Sequence, residues 1–71
     1  MERKRVLSSN IASIGYEPTR PILEVEFLNG SIYQYFGVPQ HLYLGLMNAS
    51  SHGEYLDAYI KKGGFRYLKV R

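Results

Sequence analysis

The chain has 71 residues, no cysteine, and a net charge of +3 that is very unevenly placed. That length sets one domain with a small core, spanning 1–71; the missing thiols exclude a disulfide framework and a thiolate zinc site, and no apolar run approaches the roughly 20 residues of a membrane-spanning helix. Between residues 6 and 60 the one basic side chain is Arg20, against Glu17, Glu24, Glu26, Glu54 and Asp57, so the positive charge belongs to the two ends.

Residues 1–5 read as a basic tail carrying Arg3, Lys4 and Arg5, without the apolar segment of a secretory signal, which points to a cytoplasmic protein. Ser8, Ser9 and Asn10 follow as a polar cluster. Its expected work is to satisfy backbone groups at a strand start or to brace the Ser51 cap, with contact of Ser9 and Asn10 to a base or phosphate as the functional alternative. Residues 6–16 then form a first strand holding Ile11, Ile14 and Tyr16, with an irregularity near Ser13 and a bend at Gly15. Glu17-Pro18-Thr19-Arg20-Pro21 is a turn, because each proline removes a donor and turns its predecessor away from helix.

Ile22–Phe36 holds two alternating runs that meet at Asn29-Gly30, a hairpin signature. A two-residue turn would mix polar and apolar side chains on both faces. A three-residue loop, Leu28-Asn29-Gly30, sets Phe27 opposite Ser31, Val25 opposite Tyr33 and Leu23 opposite Tyr35. One face then gathers Leu23, Val25, Phe27, Tyr33 and Tyr35, and the other carries Glu24, Glu26, Ile32 and Gln34 toward water. Gly30 supplies the positive φ.

Helical punctuation follows. Pro39 suits the first position of a helix whose apolar residues Leu42, Tyr43, Leu46, Met47 and Ala49 recur at helical spacing, and which ends near Ala49. Gly45 weakens it by about 1 kcal/mol relative to alanine. Ser51-His52-Gly53-Glu54 has the form of a capping box opening a second helix with Tyr55, Leu56, Tyr59 and Ile60 as its apolar stripe. Lys61 and Lys62 suit its C-terminal end, and Gly63-Gly64 stops it. The basic segment 65–71 is a fourth strand or an extended arm. The fold class is therefore α+β: a three-stranded antiparallel meander, two short helices packed on one face, and this C-terminal segment.

Ser8-Ser9-Asn10-Ile11, Ile14-Gly15-Tyr16, Leu23-x-Val25-x-Phe27, Asn29-Gly30, Tyr33-Gln34-Tyr35, Val38-Pro39 and Ser51-x-Gly53-x-Tyr55 together resemble the KTSC domain family over nearly the whole chain. That family takes its name from a C-terminal extension of some lysyl-tRNA synthetases, occurs also as free-standing bacterial and phage proteins, and is marked by the central Tyr-x-Tyr. The resemblance implies this fold and RNA binding as the suggested role. The chain departs from the family at Tyr55-Leu56-Asp57, where members commonly read Tyr-Phe-Asn.

On chemistry alone, Lys61, Lys62, Phe65, Arg66, Tyr67, Lys69 and Arg71 interleave cations with rings, as single-stranded nucleic acid requires of a partner. Arg3, Lys4, Arg5, Ser9, Asn10, Tyr33 and Tyr35 are secondary candidates, the two tyrosines being assigned first to the core with each hydroxyl on a polar partner. Catalysis finds no support: His41 and His52 lack a nucleophile signature, Glu24 and Glu26 read as exposed strand charges, and neither a metal site nor a cofactor is implied. The expectation is a non-catalytic module for RNA or single-stranded DNA. Its alternative is a protein-interaction or homo-oligomeric module pairing through an edge strand or sheet face.

Overall fold

A computed structural model describes all of residues 1–71. Five antiparallel strands lie in sequential order, β1 (Arg3–Arg5), β2 (Ile11–Glu17), β3 (Ile22–Phe27), β4 (Ile32–Phe36) and β5 (Arg66–Lys69). Between β4 and β5 the chain crosses one face of the sheet as α1 (Gln40–Asn48), α2 (His52–Tyr55), a π-helical turn (Leu56–Ile60) and a 3₁₀ turn (Lys61–Gly63). The three-stranded meander is thus corrected to five strands: the segment at 65–71 is a strand against β4, and the basic tail is a strand against β2.

The central hairpin has the expected register. Val25 faces Tyr33 and Leu23 faces Tyr35. The Phe27 amide donates to the Ser31 carbonyl at 2.8 Å, the Gly30 amide donates to the Phe27 carbonyl at 2.9 Å, and Gly30 has φ 93°. The irregularity near Ser13 is also present, because Ile11 pairs with Phe27 while Ser13 pairs with Glu26, leaving Ala12 as an extra residue on β2. This bulge has a packing purpose. Ile11 and Ile14 stand an odd number of residues apart, so a regular strand would send them to opposite faces; with Ala12 bulged out, both are fully buried in one core. Leu23, Val25, Tyr35, Val38, Leu46, Leu56 and Ile60 complete that core.

Gly15 marks no bend. A Cβ there would stand 2.6 Å from the Glu2 carbonyl oxygen, so its bare backbone is what lets β1 lie against β2. Arg3, directly opposite Gly15, then reaches across the second sheet face to pair with Glu24, while its Nε donates to Ser13 Oγ at 2.9 Å. Gln34 donates to Glu24 at 2.7 Å and Ser13 donates to Glu26 at 2.8 Å. Glu24 is consequently only 7% exposed, and the expected wet face is instead a closed polar network over the middle of the sheet. Burial raises the Glu24 carboxyl, but the bonds from Gln34 and Arg3 and the Arg3 charge outweigh it and hold it below the usual glutamate range.

The helices follow the sequence with small changes. Pro39 stands one position earlier than expected, as the N-cap, where its missing donor is equally harmless. Ser51 Oγ accepts from the Glu54 amide at 3.3 Å, but Glu54 does not reach back, so the box is half formed. Gly45 is explained by Tyr55, whose hydroxyl would lie 2.1 Å from a Cβ at that position. The second helix does not stay α-helical: its π turn buries Leu56 and Ile60 together and leaves Tyr59 outside, and Gly64 ends it at φ 81°.

Candidate nucleic-acid interface

The helices cover only part of the sheet. Beyond their reach, at the end of the face nearest the hairpin loop, Phe27, Tyr33, Tyr35 and Tyr67 form one wall of a groove of about 440 Å³, and Phe65 and Lys61 close it from the helical side. Asn29 and Ser31 stand at its mouth. Strand alternation assembles the wall: Tyr67 lies opposite Tyr35 on the neighbouring strand, and Lys69 lies opposite Tyr33. Tyr33 stacks near Tyr35 with ring centroids 6.3 Å apart, and Tyr67 lies 6.2 and 6.0 Å from them. Phe27 meets Tyr33 edge to face at 5.8 Å.

Two positive ends do not make one patch. β1 and β5 are the opposite outer strands of the sheet, so Arg3, Lys4 and Arg5 are separated from the C-terminal cations by the three strands between them. Arg3 is committed to Glu24 and Glu26, and Arg71 to the Gly30 carbonyl at 3.2 Å and Glu26 at 3.5 Å. Lys62 is paired with Asp57 at 3.2 Å. Arg66 stands opposite Phe36 and so faces away from the groove that holds its neighbour Tyr67. Lys61 is different. Its ammonium sits 5.3 Å from the Phe27 ring centre, over the groove, and has no carboxylate partner.

Ser9 and Asn10 also stay apart from the groove. Ser8 Oγ accepts from the Asn10 and Ile11 amides at 3.3 and 3.2 Å, and the Asn10 side chain rests on Gly53, where a Cβ would meet its Oδ1 at 2.7 Å. Ser8 and Ser9 line a separate, smaller cleft with Ser50, Ser51 and His52. The bracing role of the cluster is therefore the one the contacts carry. Of the sequence candidates, Lys61, Phe65, Tyr67, Tyr33 and Tyr35 come together, with Lys69 beside them.

Tyr35 is both core and wall. It is 4% exposed, and burial, together with the neighbouring Tyr33 and Tyr67 phenols, pushes its hydroxyl up to about 12. The expectation that the Tyr33 and Tyr35 hydroxyls find polar partners is corrected: no protein group bonds to either, whereas Tyr16, stacked on Tyr43, donates to the Val38 carbonyl at 2.6 Å. Sequence reasoning missed Phe27, Asn29 and Ser31 as site residues, placing Phe27 in the core, Asn29 in the turn and Ser31 in the hairpin pair opposite Phe27. The position of Phe27 at the loop end of its strand, past the span of two short helices, was the available signal.

The KTSC domain model matches residues 7–67. An uncharacterized protein of Stutzerimonas stutzeri is 37% identical over 70 residues, covering 99% of each chain. A lysine–tRNA ligase of Nostoc sp. is 48% identical over 62 residues, which are 87% of this chain but 11% of that enzyme. The crystal structure of a KTSC domain protein from Yersinia pestis is similar at TM-score 0.89 and 42% identity, covering 99% of this chain and 97% of that one.

Proposed function

The chain belongs to the KTSC domain family, and from that membership and its geometry we propose that it is a non-catalytic module that binds single-stranded nucleic acid, RNA foremost, in the aromatic groove. The observation that carries the reading is the grouping of five ring side chains around one unpaired ammonium, Lys61. Bases stack on such faces for about 1–3 kcal/mol each, and a cation beside them takes a phosphate. Lys69, opposite Tyr33 on β5, extends the positive line along the groove edge. Similarity to a segment of lysine–tRNA ligases adds support for RNA over DNA, since the name of that relative makes tRNA its substrate. A duplex does not fit the reading, because its bases are stacked on one another and cannot enter the groove.

All four residues of β5 are exposed, which favours a second reading, addition of a partner strand to this edge. Both outer strands carry cations, so two copies of the chain pairing through them repel, and the partner for that reading is an acidic segment. Salt-titrated binding to single-stranded RNA, single-stranded DNA and duplex separates the readings. Nucleic-acid binding weakens steeply as salt rises, prefers single strands, and falls with Lys61→Glu more than with Lys62→Glu. No binding to any of the three at low salt sinks the nucleic-acid reading.

A further inference from the structure

The track open to a nucleic-acid strand in this groove is short. On the groove face Val25, Tyr33 and Lys69 stand side by side on β3, β4 and β5. Phe27, two residues from Val25 toward the hairpin loop, meets the Tyr33 ring and carries the Lys61 ammonium over its own. Tyr33 therefore lies between two cations, Lys61 on the β3 side and Lys69 on the β5 side, across two strand spacings or about 10 Å. Neither cation has a carboxylate partner. Beyond Lys61 the helical side closes the groove, and beyond Lys69 the sheet ends. No further cation continues the line, because Lys62 and Arg71 are paired, Arg66 faces the other way, and the N-terminal basic residues lie on the opposite outer strand.

The stacking surface is equally limited. Tyr35 is 4% exposed and one face of Phe27 is taken by Lys61, whereas Tyr67 is 65% exposed and its ring lies 6.2 Å from that of Tyr33. Tyr33 and Tyr67 are thus the open rings of the sheet wall. The groove volume of about 440 Å³ falls in the lower part of the roughly 300–1,000 Å³ range that encloses one drug-sized ligand. We infer that the groove holds two nucleotides, one base on Tyr33 with its flanking phosphates at Lys61 and Lys69, and the neighbouring base on Tyr67. Resting on the nucleic-acid reading above, this narrows the ligand to a short unpaired segment in place of a continuous single-stranded tract. Two neutralised phosphates on a single strand give a salt slope of about −1.4, far shallower than a protein that follows a tract of six or more.

The experiment titrates the full chain with pUp, pUpUp and a uridine decamer at low salt, followed by quenching of tyrosine fluorescence, and repeats the decamer titration across a range of salt. Phosphates at both ends of the short ligands serve either chain direction. The expected result is binding of pUpUp about tenfold tighter than pUp, from the second stack. The decamer then gains only from the number of registers it offers, and its salt slope is about −1.4. Lys61→Gln and Lys69→Gln, both at surface side chains, each halve that slope, and Arg66→Gln leaves it alone. Equal binding of pUp and pUpUp, affinity per register still rising from pUpUp to the decamer, or a slope of about −2 or steeper overturns the two-nucleotide footprint while leaving single-strand binding intact. Absence of binding by the decamer at low salt overturns the nucleic-acid reading and the footprint with it.

Discussion

Replacing Arg3 by alanine tests how a segment of three charged residues becomes a strand. Arg3 spans β2 to pair with Glu24 and bonds Ser13 on the way, and its removal leaves Glu24 with Gln34 as its remaining side-chain partner. Breaking a fully buried ion pair costs about 3–5 kcal/mol and breaking an exposed one about 0–1. The two side chains here are 25% and 9% exposed, between those limits, so the loss should be about 2 kcal/mol. In a domain of this size that lowers the midpoint of thermal unfolding by roughly 8–16 °C. The loss should also depend on pH with a fixed sign. Because the folded Glu24 carboxyl lies below its usual range, the stability it supplies is fully present above the unfolded value of about 4.3 and disappears as pH falls through the lowered folded value. Urea unfolding of both proteins from pH 7 to pH 3 measures this. A penalty below about 0.5 kcal/mol at pH 7, or one that stays constant down to pH 3, would refute the reasoning.

Gly15→Ala should destabilise through the same event, since its Cβ collides with the Glu2 carbonyl and lifts β1 from the sheet, and the double variant with Arg3→Ala should be little worse than either alone in urea melts. Tyr35 should titrate near pH 12 in ultraviolet difference spectra; its raised folded value means that its contribution is whole below about pH 10 and lost as pH climbs toward 12, a loss that Tyr35→Phe removes. Ser51→Ala should cost about 1 kcal/mol in the same melts, through the unpaired Glu54 amide. Lys61→Glu should weaken binding of single-stranded RNA about tenfold or more and reduce its salt slope, whereas Lys62→Glu, at a cation already held by Asp57, should change both much less.

The hairpin was legible because period-two alternation and the demand for positive φ at Gly30 agree on one register. The bulge in β2 was legible for a related reason, as Ile11 and Ile14 cannot share a face without it. β1 was not, since Arg3-Lys4-Arg5 carries no apolar alternation and joins the sheet through an opening at Gly15 and a carboxylate on β3. Neither signal is local. The π turn was equally hidden, because burial of Leu56 and Ile60 at a spacing of four fits α and π geometry alike. Half of the groove could be read from the tail, where Phe65, Tyr67 and Lys69 share one side once the segment is a strand. The same alternation sends Arg66 to the other side, a consequence that treating the tail as a single basic patch obscured. Lys61 stands out only when Lys62 is seen to be paired, and Phe27 only when the helices are seen to stop short of it.

The proposed function turns on where a base meets the sheet. Aromatic proton spectra recorded while the protein is titrated with a single-stranded uridine decamer should show the rings of Phe27, Tyr33, Phe65 and Tyr67 moving upfield, with Tyr16 and Tyr43, which lie outside the groove lining, unchanged. Movement confined to Tyr16, Tyr43 and Tyr59, or saturable binding with no ring shifted, would contradict it.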